Sequence, residues 1–214
     1  AAMVISGSVT LLSGMTRTYS GSVTFNSTAA GRTLTFNGVV WGSHTDFNVS
    51  GGGWTLQDAW TATNRNLSLT LGTLNTNSQA ITSSTWTYTA GTITVGTTAW
   101  TCTGNFSGGG QTYYAVTLTA INAGPTVSGN NTFTNLTWSG AGGSAHMILA
   151  GNQTVTGTFT RTAGGANQGN NIKSSVTGTA RTITAAAVSL TNVVFSDITG
   201  AGAASPFTGT RLWD

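Results

Sequence analysis

The chain has 214 residues, a formal net charge of +3 and only 5% charged residues against 38% hydrophobic ones. Soluble domains usually carry about 25% charged residues. Disorder pairs high charge with low hydrophobicity, so a chain with seven Trp and eight Phe is read as ordered. Glu is absent and Ala-, Glu- and Lys-rich stretches are missing, which makes strand the expected element and nearly excludes helix.

In chain order, Ser8-Val9-Thr10-Leu11-Leu12 and Ser22-Val23-Thr24-Phe25 alternate polar and apolar residues, as strands do. Thr33-Leu34-Thr35-Phe36 ends at Asn37-Gly38, a pair that tolerates positive φ. Val39-Val40-Trp41 follows, then His44-Thr45-Asp46-Phe47-Asn48-Val49, in which His44 and Asp46 share one strand face and Phe47 and Val49 the other. Leu67-Ser68-Leu69-Thr70-Leu71, Trp86-Thr87-Tyr88, Ile93-Thr94-Val95 and Trp100-Thr101-Cys102 keep the two-residue period. Farther on, Val116-Thr117-Leu118 is answered by Leu136-Thr137-Trp138, and Val155, after a nearly equal interval, by Val176. Ile183, Val188-Ser189-Leu190 and Val193-Val194-Phe195 continue the rhythm.

Larger phrases recur too. Ser50-Gly51-Gly52-Gly53-Trp54-Thr55 returns as Ser107-Gly108-Gly109-Gly110-Gln111-Thr112, each preceded by a Phe, Phe47 or Phe106. Strand-sized units thus return at intervals of about 20 residues, a period of the kind that repeat architectures show. The step from Ser50 to Ser107 is close to three such intervals. A sandwich would show hairpin turns at shorter spacings, whereas a solenoid repeats whole coils. The expected fold is an all-β parallel β-helix with coils of about 20 residues, with a β-sandwich or jelly roll as the alternative. Residues 1–30 are read as strands leading into the stack, and residues 31–214 as the β-helix body, continuing into further chain or a partner. Stacked coils place like residues about 4.8 Å apart, a setting in which hydroxyl and amide ladders are comfortable and charge ladders repel.

The seven basic residues, Arg17, Arg32, Arg65, Arg161, Lys173, Arg181 and Arg211, are scattered singly, so no nucleic-acid surface is expected. No apolar run approaches the roughly 18 residues of a membrane-spanning helix. Cys102 stands alone, which excludes an intrachain disulfide, and reads as a small buried residue. The start, Ala1-Ala2-Met3-Val4-Ile5, lacks the features of a signal peptide, and the chain is read as a processed product or a section of something longer.

Chemistry has few candidates. Asp46 and Asp58 flank the first triple glycine and are the best case for a glycosidase-type carboxylate pair, but the favoured reading of both is as turn or cap residues. His44 with Asp46 falls short of a metal set, and His146 has no partner spacing nearby; no metal or cofactor is expected. The triple glycines lack the Lys-Ser/Thr of a phosphate loop and read as tight corners where coils approach closely. Trp54, Trp60, Tyr113 and Tyr114 follow those corners, where flat rings either stack on a sugar or partner or fill the core. Arg161 and Arg181, separated by one such interval, are candidates for neighbouring rungs that bind an acidic glycan or partner, or for solvated surface groups.

The phrases Gly51-Gly52-Gly53-Trp54-Thr55-Leu56-Gln57-Asp58, Gly72-Thr73-Leu74-Asn75-Thr76-Asn77, Gly108-Gly109-Gly110-Gln111-Thr112-Tyr113-Tyr114 and Asn131-Thr132-Phe133-Thr134-Asn135-Leu136-Thr137 together resemble the β-helical proteins of tailed phages and environmental bacteria. The resemblance spans roughly residues 30 to 200. It implies a non-enzymatic virion structural protein, a tail fibre, spike or decoration component, that forms homo-oligomers with other virion or surface proteins as partners and possesses an adhesive surface for a host glycan. A self-assembling cell-surface fibre and a carbohydrate-active β-helix are the alternatives. The group offers no catalytic motif to carry onto positions of this chain.

Overall fold

The computed structural model describes residues 2–120, 124–140, 146–161 and 170–213. The chain divides into two compact units, Ala1–Trp100 and Thr101–Asp214, and each is a parallel β-solenoid.

In the first unit each coil contributes short strands to successive sides of the stack. One side runs through Met3–Ile5, Val23–Phe25, the start of Thr45–Leu56, the start of Leu67–Asn75 and Trp86–Tyr88. A second is built from Arg32–Thr35, the ends of the two long strands and Thr92–Thr94. Trp60–Thr61 and Ile81–Ser83 form a third, extended by the amide of Trp41 donating to the Thr61 carbonyl. Val23 pairs with Thr45, Thr45 with Leu67 and Leu67 with Trp86. The coil length is therefore the one that the spacing of phrases in the sequence predicts. All these pairings are parallel, which rules out the hairpin-built sandwich or jelly roll.

Alternation decides what lies inside. Val23, Phe25, Phe47, Leu67 and Leu69 point inward and are buried; Phe25 and Phe47 stack with centroids 4.9 Å apart. Rings of this size bury large apolar areas and favour offset contacts of this kind. Trp41, Phe36, Trp54 and Trp60 complete an aromatic core.

The second unit repeats the plan. Val116 pairs with Leu136, Leu136 with Phe159 and Phe159 with Val188, and the whole phrase Val116-Thr117-Leu118 lies against Leu136-Thr137-Trp138 as their recurrence predicts. The rhythm breaks once. Gln153 pairs with Ile183, well beyond the usual step, and Val155 with Ala185. Val176, expected to answer Val155, is instead half-exposed in a turn, because this coil takes up extra length between its strands.

Both triple glycines are corners. Between Asn48 and Gly53 the first strand takes five steps while the next coil takes two, Leu71 to Thr73. Gly51 has φ +83°, and a Cβ on Gly52 would lie 2.0 Å from the Ser27 carbonyl oxygen, so close backbone approach demands glycine there. In the second unit Gly108–Gly110 turns the chain from Phe106–Ser107 into Thr112–Leu118, with Gly109 and Gly110 at positive φ.

Asparagine side chains tie coil to coil. In the first unit Asn37 and Asn77, both at positive φ, donate from Nδ2 back to the carbonyls of Leu11 and Leu56. In the second, the Oδ1 atoms of Asn105, Asn130, Asn135 and Asn152 accept the amides of Thr126, Asn152, Thr158 and Thr182. Each such bond satisfies a backbone group that the strand ladder leaves open, at a turn, a strand end or a register shift.

Candidate polar recess on the first unit

The strand Thr45–Leu56 begins by turning Thr45 inward, where its hydroxyl accepts a 2.7 Å hydrogen bond from the Trp41 indole. That places the neighbouring residues His44 and Asp46 on the outer face. The outer ladder along this side is Thr24, Asp46, Ser68 and Thr87. Asp46 Oδ1 accepts hydrogen bonds from Ser68 Oγ at 2.8 Å and Thr70 Oγ1 at 2.7 Å. His44 Nδ1 accepts the Asn66 amide at 3.0 Å; with an acceptor at Nδ1, the ring carries its hydrogen on Nε2. Ser22, Thr24, His44, Asp46, Asn66 and Ser68 line a shallow recess over the inward-pointing Val23 and Thr45.

Asp58 occupies a different post. Its two carboxylate oxygens accept the amides of Phe36 and Asn37, fixing the turn at Asn37 in the preceding coil. Asp46 and Asp58 share no partner, and Asp58 does not line the recess. Among the described residues no three His, Cys, Asp or Glu side chains converge as a metal set. His146 is half-buried at the start of His146–Leu149, while Gly143, Ser144 and Ala145 of its phrase lie outside the described residues.

The aromatic candidates divide. Trp54, Trp60 and Tyr113 are buried, which corrects the expectation that they stack on a ligand at a corner. Trp54 and Trp60 pack on Phe47, and Tyr113 packs on Phe106 while donating from its hydroxyl to the Gly108 carbonyl at 3.0 Å. Tyr114, the next residue, points outward and is 40% exposed.

Arg161 and Arg181 lie on directly paired strands but not opposite one another, which corrects the reading from their spacing. Arg161 pairs with Trp138 and Leu190, whereas Arg181 pairs with Ile198, because the coil between them is the long one. Arg161 is also buried, at 1% exposure. Its guanidinium lies 4.1 Å from the Trp138 ring centroid and donates to the carbonyls of Trp138 and Gly140. Burial lowers its pKa to about 10. It therefore fastens an interior column and is withheld from any surface ligand. Arg181 is half-buried at the start of its strand.

The residues that organise the second unit's interior were not singled out from sequence. Asn131 and Gln153, both buried, join through a 3.1 Å bond from Asn131 Nδ2 to Gln153 Oε1. Asn131 Oδ1 accepts the Gly110 amide, and Gln153 Nε2 donates to the carbonyls of Gly129 and Gly151. The available signal was the recurrence of an amide residue just after a glycine: Gly129-Asn130-Asn131 and Gly151-Asn152-Gln153.

No protein-family model, curated protein or solved structure matches the chain.

Proposed function

We propose that the chain is a non-enzymatic structural protein with an adhesive role, a tail fibre, spike or decoration component of a phage particle that assembles as a homo-oligomer and meets a glycan or protein partner through a rigid, weakly charged side. The observation that carries this reading is the use made of the acids. Asp58 commits both oxygens, and Asp46 one, to holding adjacent coils together, an assignment suited to stiffness rather than to paired acid and base work. The outward ladder of Thr24, Ser68 and Thr87 around Asp46 offers hydroxyls at regular intervals, a surface matched to polyhydroxylated ligands.

The test has two arms. Immunogold electron microscopy of purified particles from the source, with an antibody raised against the chain, is expected to label the tail or capsid surface. Incubation with bacterial surface polysaccharide is expected to give retention without shortening of the polysaccharide. Absence of the chain from particles overturns the virion assignment, and release of oligosaccharide overturns the non-enzymatic one.

A further inference from the structure

We infer that the recess at His44 and Asp46 is a subsite for one neutral hexose unit of a glycan. The inference deepens the adhesive reading above and rests on it. Two groups face the recess with bonding capacity left over. Asp46 Oδ1 is occupied by Ser68 and Thr70, which orients the carboxylate and leaves Oδ2 as an open acceptor. His44 Nδ1 is occupied by the Asn66 amide, which orients the ring and leaves Nε2–H as an open donor. Neither open atom is among the buried unpartnered ones, so both are reachable from solvent.

The spacing sets the size of the ligand. Residues two apart on a strand face are about 7 Å apart, a gap that a single pyranose ring bridges with one hydroxyl donating to Asp46 Oδ2 and another accepting from His44 Nε2–H. Because both side chains are already held by the next coil, little ordering remains to be done on binding.

Other ligand classes fit less well. A transition metal needs the lone pair of the outward imidazole nitrogen, and here that nitrogen carries the hydrogen. An anion would face the Asp46 carboxylate. An apolar ligand would strip water from a carboxylate, an N–H and several hydroxyls without replacing their bonds.

The experiment follows the Asn66 amide and the His44 ring by two-dimensional NMR of the full chain. The probes are neutral gluco-, galacto- and mannotrioses, with calcium chloride and a sialylated trisaccharide as comparisons. A neutral trisaccharide is expected to shift both signals saturably, and calcium and the acidic sugar are not. His44→Ala, and Asp46→Asn, which keeps an acceptor for Ser68 and Thr70 but turns a donor toward the recess, should each weaken binding at least tenfold with the circular dichroism spectrum unchanged. His44→Gln, whose amide can serve Asn66 and still donate outward, should fall between. If a neutral sugar binds but neither variant weakens it, the subsite is overturned while the adhesive reading stands. Binding accompanied by cleavage leaves the subsite and overturns the non-enzymatic reading. Shifts caused only by calcium or the acidic sugar, or by none of the probes, overturn the subsite directly.

Discussion

Asn131 and Gln153 lie one coil apart inside the second unit, joined by a 3.1 Å side-chain hydrogen bond. Between them they also bond the Gly110 amide and the carbonyls of Ser128, Gly129 and Gly151. Burying so many polar groups is tolerable only because they satisfy one another. Asn131→Ala leaves several of them without a partner, and at about 1–3 kcal/mol per orphaned group the loss should be about 3 kcal/mol, read from the urea midpoint. Asn131→Asp keeps the acceptor for Gly110 but loses every bond that Nδ2 donates, and should be at least as damaging.

The first triple glycine should be intolerant of a methyl group at its middle position. Gly52→Ala places a Cβ 2.0 Å from the Ser27 carbonyl oxygen and 2.7 Å from Val49 Cγ1, so backbone must move, at a cost of about 3 kcal/mol or more. Gly7→Ala, with nothing within 4 Å, should stay within about 0.5 kcal/mol. Thermal unfolding of the two variants side by side checks the contrast.

Adjacent tyrosines should behave oppositely. Tyr113→Ala opens a cavity beside Phe106 and Phe133 and should cost about 3–5 kcal/mol. Tyr114→Ala, at a side chain 40% exposed, should cost under about 1 kcal/mol. If chemical denaturation shows equal losses, the inside–outside assignment at this corner is wrong.

Arg161 gives a pH signature. Its pKa is lowered to about 10 by burial, well below the ordinary value of an unfolded arginine. The folded chain thus releases this proton first, and the cost of burying the charge, present in full below about pH 10, is relieved as pH rises through that value. Wild-type stability should therefore gain relative to Arg161→Met between about pH 9 and about pH 11.5, measured by urea unfolding at fixed ionic strength. At neutral pH Arg161→Met should lose about 1–3 kcal/mol, because the carbonyls of Trp138 and Gly140 lose their donor, and Arg161→Ala should lose more because it also removes the packing on Trp138.

The coil was legible in the sequence wherever phrases recur without insertion, as Val116-Thr117-Leu118 and Leu136-Thr137-Trp138 do. It was illegible where length hides between strands: the long step from Gln153 to Ile183 makes the Arg161–Arg181 spacing coincidental. Inside and outside were harder. Counting by twos from the buried Phe47 puts Trp54 on the outer face, but the extra residues at Gly51–Gly53 reverse the phase and turn it inward. For Arg161 the alternation was informative, since it shares a strand face with Phe159, but an arginine on an apolar face is seldom fully buried. The shared face of His44 and Asp46 was visible; their fastening by Asn66, Ser68 and Thr70 was not, because those partners come from the next coil.

The corner asparagines make chain length in each stack an adjustable quantity. Asn130 addresses Asn152, and Asn152 addresses Thr182; each clip reaches one coil and no farther. A gene duplication or deletion that adds or removes one whole coil preserves the pattern of clips, while a shift of a single residue within a strand would misalign it. Whole coils are the natural unit of change in such a stack, so its length is set like the number of links in a chain.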